Sequence, residues 1–120
     1  MKIYVICPYN CSEEWKNGIN KYINTIKKKN VTVTSSWNYD KKDITGYDTY
    51  LQKNKAIKKA DKIHIAWDGK DKECLFELGM AFTYNKNISL ITGYFPKIPP
   101  EHGKNIIKTL YCWEAISNNY

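Results

Sequence analysis

Not one arginine occurs in the 120 residues; all 19 basic side chains are lysine, set against 12 acidic ones for a formal charge of +7. Net charge alone suggests nucleic acid as a partner. However, the bidentate fork used for guanine edges and many phosphate sites is missing, and lysine acts only as a point charge. The lysines are dispersed, with a single Lys-Lys-Lys run at 27–29 placed to suit the end of a helix. A solvated basic surface that attracts small anions is the better reading than a nucleic-acid interface. Long apolar runs are also missing: none approaches the roughly 20 residues that span a bilayer. The N-terminal MKIYVICPYN has no small-residue cleavage site behind its apolar run. It reads as a first strand rather than a signal peptide, which makes the cytoplasm the default location and a membrane partner unexpected.

Cysteine is sparse and scattered, at 7, 11, 74 and 112, and neither His64 nor His102 has zinc-finger spacing to Cys7 and Cys11. Free, mostly packed thiols follow, not a closed metal site. What remains is 42% apolar with four tryptophans, enough for a core in one domain covering 1–120.

Residues 2–7 (KIYVIC) alternate and are β-branched, which predicts a strand ended by Pro8. Ser12 can cap a helix that begins with Glu13 and Glu14 and repeats apolar residues at Trp15, Ile19, Tyr22, Ile23 and Ile26. Strands are expected at 31–37, 62–67 and 88–92, with helices at about 49–60 and 74–85 and a polar loop at 38–48. Leu51, Ala56 and Ile57 would share one side of the helix at 49–60. The tail 104–120 reads as a fifth strand or as one helix. This βα alternation predicts an α/β, doubly wound, flavodoxin-like sheet of four or five mainly parallel strands with helices on both faces. Ligands of such sheets bind outside the carboxyl ends of the strands, here at PYNC, SWNYDKKD and WDGKDKE. PYNC offers neither the aspartate cluster of a phosphoacceptor nor the Ser/Thr/Gly-rich loop of a flavin site.

Glu77 stands out among Leu75, Phe76, Leu78, Met80, Ala81 and Phe82. A helix starting near Cys74 puts it in the first turn, where the dipole favours an ionised carboxylate. Such a group can attack an electrophilic carbon and form a covalent intermediate; alternatively it simply faces solvent. Trp37, Tyr39 and Trp67 could stack on a base, although Trp67, ending a strand, suits the core equally well. His64 alternates within its strand as a core histidine does. Cys74 has no recognisable His or Asn partner for nucleophilic chemistry.

The stretch ADKIHIAWDGKDKECLFELGMAFTYNKNISLI resembles the core of the nucleoside 2-deoxyribosyltransferase-like family. The matching residues are Ala60-Asp61, Asp68-Gly69, Glu77-Leu78-Gly79-Met80-Ala81 and Lys86, joined by the opening KIYVICP with Tyr4. The resemblance covers about residues 60–91 and extends to 2–9. It implies a flavodoxin-like fold and cleavage or transfer at the N-glycosidic bond of a nucleoside or nucleotide, without metal or organic cofactor. Glu77 would be the nucleophile, Tyr4 would orient it, and Asp68, Gly69 and Asp71 would contact sugar or base. Gly79 would allow close helix–strand packing. Family members commonly associate so that neighbouring subunits complete the site, which makes a homo-oligomer an expectation. Two departures stand out. Eight residues before Asp61, where the family carries an acid that serves the base or leaving group, this chain has Lys53. The turn before the nucleophile, usually Gly/Ser/Thr-rich, holds Lys72, Glu73 and Cys74, and Glu73 would repel a 5′-phosphate. Lys53 favours the alternative function, a non-catalytic binding module for a nucleotide-derived small molecule. Asp40, Asp43 or Asp48 could replace the missing acid.

Overall fold

The structure, a computed structural model, describes residues 1–39, 46–96, 108–110 and 112. The chain runs β1 (Lys2–Ile6), α1 (Glu13–Ile26), β2 (Thr32–Ser35), a 3-10 turn (Ser36–Asn38), α2 (Tyr47–Lys59), β3 (Lys62–Ile65), α3 (Lys72–Thr83) and β4 (Asn87–Leu90). All strand pairs are parallel, in the order β2-β1-β3-β4. The expected α/β sheet is therefore present, consistent with a flavodoxin-like fold. A fifth strand in the tail lies largely outside the described residues; those described, 108–110 and 112, are helical. No helix among the described residues is long and apolar enough to cross a membrane.

Alternation along β1 sorts the core into two layers. Ile3 and Val5 join Ile19 of α1, with Ala66 and Ile91, on one face. Tyr4 and Ile6 join Ile57 of α2, and Cys74, Leu78 and Ala81 of α3, on the other. Helices thus cover both faces, which is why the central strands read as nearly continuous apolar runs. Two residues of the 60–91 stretch tie these parts together. Asp61 Oδ2 accepts from the backbone N–H of Lys2 at 2.7 Å, pinning the start of β1. Lys86 Nζ donates to the carbonyls of Lys58 and Ala60 at 2.6 and 2.7 Å, closing the C-terminus of α2.

Helix caps follow the sequence closely. Ser12 accepts from Trp15 N–H and opens α1. Asp71, rather than a residue next to Cys74, opens α3 by accepting from Cys74 N–H, so α3 begins at Lys72 and Glu77 falls in its second turn. The tight glycine is Gly18, not Gly79. A Cβ on Gly18 would stand 2.0 Å from the carbonyl oxygen of Tyr94, whereas one on Gly79 would meet nothing within 4 Å. Gly79 is exposed, so helix–strand packing does not account for it. The expected face of α2 also needs correction: Thr49, Lys53 and Ile57 form its buried stripe, while Leu51 is 40% exposed.

Candidate functional site

Three carboxyl-terminal segments converge where the chain, having passed from β1 to β2, crosses back over β1 to β3. This reversal of strand order is where ligands of open α/β sheets bind. Glu77 of α3 lies there with no solvent exposure, which excludes the solvent-facing reading. Its place follows from helix geometry: Cys74, Leu78 and Ala81 define the inward face of α3, and Glu77 sits on it.

Two hydroxyls converge on one carboxylate oxygen. Tyr4, in the middle of β1, donates to Glu77 Oε1 at 2.5 Å, and Ser36, the residue after β2, donates to the same atom at 2.8 Å. Ser36 Oγ in turn accepts from Cys7 N–H at 3.1 Å. The backbone carbonyl of Ser36 accepts from the Tyr9 hydroxyl. β1, β2 and α3 are thereby stitched together through a single carboxylate.

The other oxygen is in a different position. Glu77 Oε2 has no hydrogen-bond partner among the described residues, and Lys53 Nζ stands 3.9 Å from it. Lys53 is equally sealed, fully buried, and its ammonium has no hydrogen-bond acceptor among the described residues. It lies 4.7 Å from the ring centroids of both Tyr9 and Tyr50, close enough for cation–π attraction to each. Lys53 therefore faces the carboxylate itself.

Burial pushes the Glu77 carboxyl above the usual carboxylate range, with Lys53, Tyr4 and Ser36 pulling back and Glu73 adding to the rise. Burial, then the Glu77 charge, raises Tyr4 in the same way, so its phenol stays protonated as a donor. The Cys7 thiol is pushed up to about 12 by burial and by Glu77. Cys74 is raised by burial and then Asp71, which removes it as a nucleophile.

The remaining sequence candidates divide. Tyr39 stacks on Tyr4 at 6.4 Å and lines a cavity of about 370 Å³ with Thr34, Gln52, Lys55 and Lys59. Trp37 donates its indole N–H to the Pro8 carbonyl at 3.1 Å and lines a second cavity, about 380 Å³, with Tyr9, Lys16 and Asn20. Neither cavity has Glu77 in its lining, but Tyr9 borders both the second cavity and Lys53. Asp68 and Asp71 act on the backbone: Asp68 Oδ1 accepts from the N–H groups of Lys70 and Asp71, and Asp71 caps α3. Gly69, at φ 87°, makes the turn between them. Trp67 is in the core, its indole N–H without a partner among the described residues. His64 is half-buried and holds Tyr22 through Nδ1 at 2.5 Å, with burial pulling its imidazole pKa down. Asp40 and Asp43 lie outside the described residues, and Asp48 is in the first turn of α2.

Sequence reasoning missed Ser36, Tyr9 and Tyr50. Their only signal is their place just beyond β1 and β2 and at the start of α2; none belongs to an apolar period. Chemically, the assembly presents a carboxylate fixed by hydrogen bonds through one oxygen, with the other facing the Lys53 ammonium but not hydrogen-bonded among the described residues. No protein-family model matches this chain, and a search of curated proteins finds no match to it either.

Proposed function

We propose that the protein cleaves or transfers at the N-glycosidic bond of a nucleoside-like substrate through a glycosyl-enzyme on Glu77. The observation that carries this reading is the asymmetry of the carboxylate. Tyr4 and Ser36 hold Oε1, while Oε2 accepts no hydrogen bond among the described residues and has the Lys53 ammonium 3.9 Å away. That is the arrangement a carboxylate nucleophile needs, one oxygen for orientation and one for attack. The likeness of residues 60–91 to the deoxyribosyltransferase-like family points to the same chemistry, with Tyr4 and Glu77 at the matching positions.

In the first step a bond forms between Oε2 and the anomeric carbon. The carbon–nitrogen bond breaks with its electron pair going to the departing base, which takes a proton from water. In the second step water, or the N–H nitrogen of an incoming base, adds to the anomeric carbon and gives up its proton to solvent, replacing the one the departing base took. The ester bond to Oε2 breaks, and the carboxylate recovers its electron pair. Glu73, in the first turn of α3, disfavours a 5′-phosphate, so a nucleoside fits better than a nucleotide. Glu77 is fully buried, so a substrate has to displace a side chain to reach it. Tyr9, which touches Lys53 on one side and a cavity on the other, is the side chain whose movement would admit the sugar.

One observation favours a second reading, a binding module on the same fold. The Lys53 ammonium pairs with the very oxygen that would attack. Incubation with a panel of nucleosides, with released base followed by chromatography, separates the two. Base release abolished in Glu77→Gln supports the enzyme. Absence of release together with nucleoside-dependent thermal stabilisation supports the binder, and no effect of any nucleoside overturns both.

A further inference from the structure

The Lys53–Glu77 pair is spaced for something between its members. At 3.9 Å the ammonium and Oε2 are too far apart to hydrogen-bond directly, and each is fully buried with no hydrogen-bond partner among the described residues. Buried polar atoms are nearly always satisfied, so two facing orphans call for a common partner. One oxygen about 2.8 Å from each would subtend about 90° at that separation, an ordinary hydrogen-bond geometry. It must accept from the ammonium and donate to the carboxylate. A hydroxyl does both, as a water molecule does in the absence of substrate; a carbonyl, an ether or a protonated amine does not.

We infer that Lys53 Nζ and Glu77 Oε2 form a slot for the hydroxyl on the sugar carbon next to the anomeric carbon, making ribonucleosides rather than 2′-deoxyribonucleosides the substrate class. This rests on the reading of Glu77 as the nucleophile. When Oε2 approaches the anomeric carbon of a ribonucleoside from the face opposite the base, the 2′-hydroxyl on that same face comes within hydrogen-bonding distance of Oε2, and Lys53 Nζ, 3.9 Å from Oε2, can donate to it. The ammonium then exchanges its long contact with the carboxylate for a direct bond to the sugar hydroxyl. A 2′-deoxy sugar puts a methylene in that slot, leaving the ammonium buried without an acceptor. Sites that hydrogen-bond a substrate hydroxyl reject the analogue lacking it, by about 10⁴-fold in strong cases. Here Tyr9 and Tyr50 still hold the cation, so a smaller preference of about 100-fold is expected.

The test measures kcat/KM for release of the same base from ribose and from 2′-deoxyribose, using the wild-type protein, Lys53→Met and Lys53→Gln. A wild-type preference of about 100-fold for ribose, reduced to a few-fold in Lys53→Met and intermediate in Lys53→Gln, is the expected result. The loss should fall on the ribose substrate. The wild-type ratio needs no variant to fold, and equal rates or a preference for the deoxy sugar would overturn the slot while leaving Glu77 catalysis standing. Stronger thermal stabilisation by ribonucleosides than by deoxynucleosides, without base release, would keep the slot and discard catalysis. Failure of both sugars to bind or react would discard both.

Discussion

Lys53→Met leaves a carboxylate sealed beneath Tyr4 and Ser36 with no cation beside it. The two charges lie 3.9 Å apart, worth about 4 kcal/mol at an effective dielectric constant near 20. The variant can escape an unpaired charge by taking up a proton on Glu77. Holding a carboxyl neutral costs about 1.4 kcal/mol per pH unit above a reference near 4.3, thus roughly 4 kcal/mol near pH 7 and roughly 1 near pH 5. Both routes give a similar loss at neutral pH, within the 3–5 kcal/mol typical of a broken buried pair. The sign of the pH dependence follows from the raised Glu77 carboxyl, which Lys53 already holds down in the wild type. A carboxyl raised above its unfolded value contributes stability that is present below the unfolded pKa and lost as pH rises through the folded one. Removing Lys53 raises it further, so the gap between variant and wild type should widen from about pH 5 to about pH 8. Urea denaturation followed by tryptophan fluorescence reads this directly. Glu77→Gln placed on top of Lys53→Met should recover much of the loss and flatten the pH dependence. A loss below about 1 kcal/mol, or a gap independent of pH, would refute the buried ion pair.

Three further outcomes are expected. Tyr4→Phe removes a donor from Glu77 Oε1, so it should cost about 1–3 kcal/mol by urea denaturation and raise the Glu77 carboxyl further; unchanged stability would count against the bond. Gly18→Ala should lose about 1–3 kcal/mol, because the new Cβ meets the Tyr94 backbone oxygen at 2.0 Å; a more stable variant, as alanine's helix propensity alone would give, contradicts that contact. Thiol labelling of the native protein, mapped by peptide mass spectrometry, should reach exposed Cys112 first and Cys11 more slowly, and spare buried Cys7 and Cys74; early modification of Cys74 would mean that α3 opens readily.

The sheet was legible because β1 alternates Ile3 and Val5 against Tyr4 and Ile6, and each helix carries an apolar face that must find a sheet. Glu77 stood out by its apolar neighbours, but its burial was not read: a helix start placed near Cys74 left it in the first turn with a solvent-facing reading open, whereas it lies on the same face of α3 as Cys74, Leu78 and Ala81. Lys53 could be counted to its position, but not to its direction. Its stripe with Thr49 and Ile57 is visible in the sequence only if a lysine is allowed inside, and lysine is almost never fully buried without a partner. Ser36 was not legible, because a 3-10 turn rather than a strand aims its hydroxyl, and such a turn leaves no period to read. Asp68 and Asp71 looked like ligand carboxylates, yet they also suit a glycine turn and a helix start, and those local bonds occupy them.

The most direct test of Glu77 as the nucleophile is intact-protein mass spectrometry, with rapid acid quench during turnover of a nucleoside, on the wild-type protein and Glu77→Gln. A sugar-sized mass increase in the wild type, mapped to the peptide carrying Glu77 and missing from the variant, is the expected result. Base release continuing undiminished in Glu77→Gln, or an adduct on another residue, would contradict it.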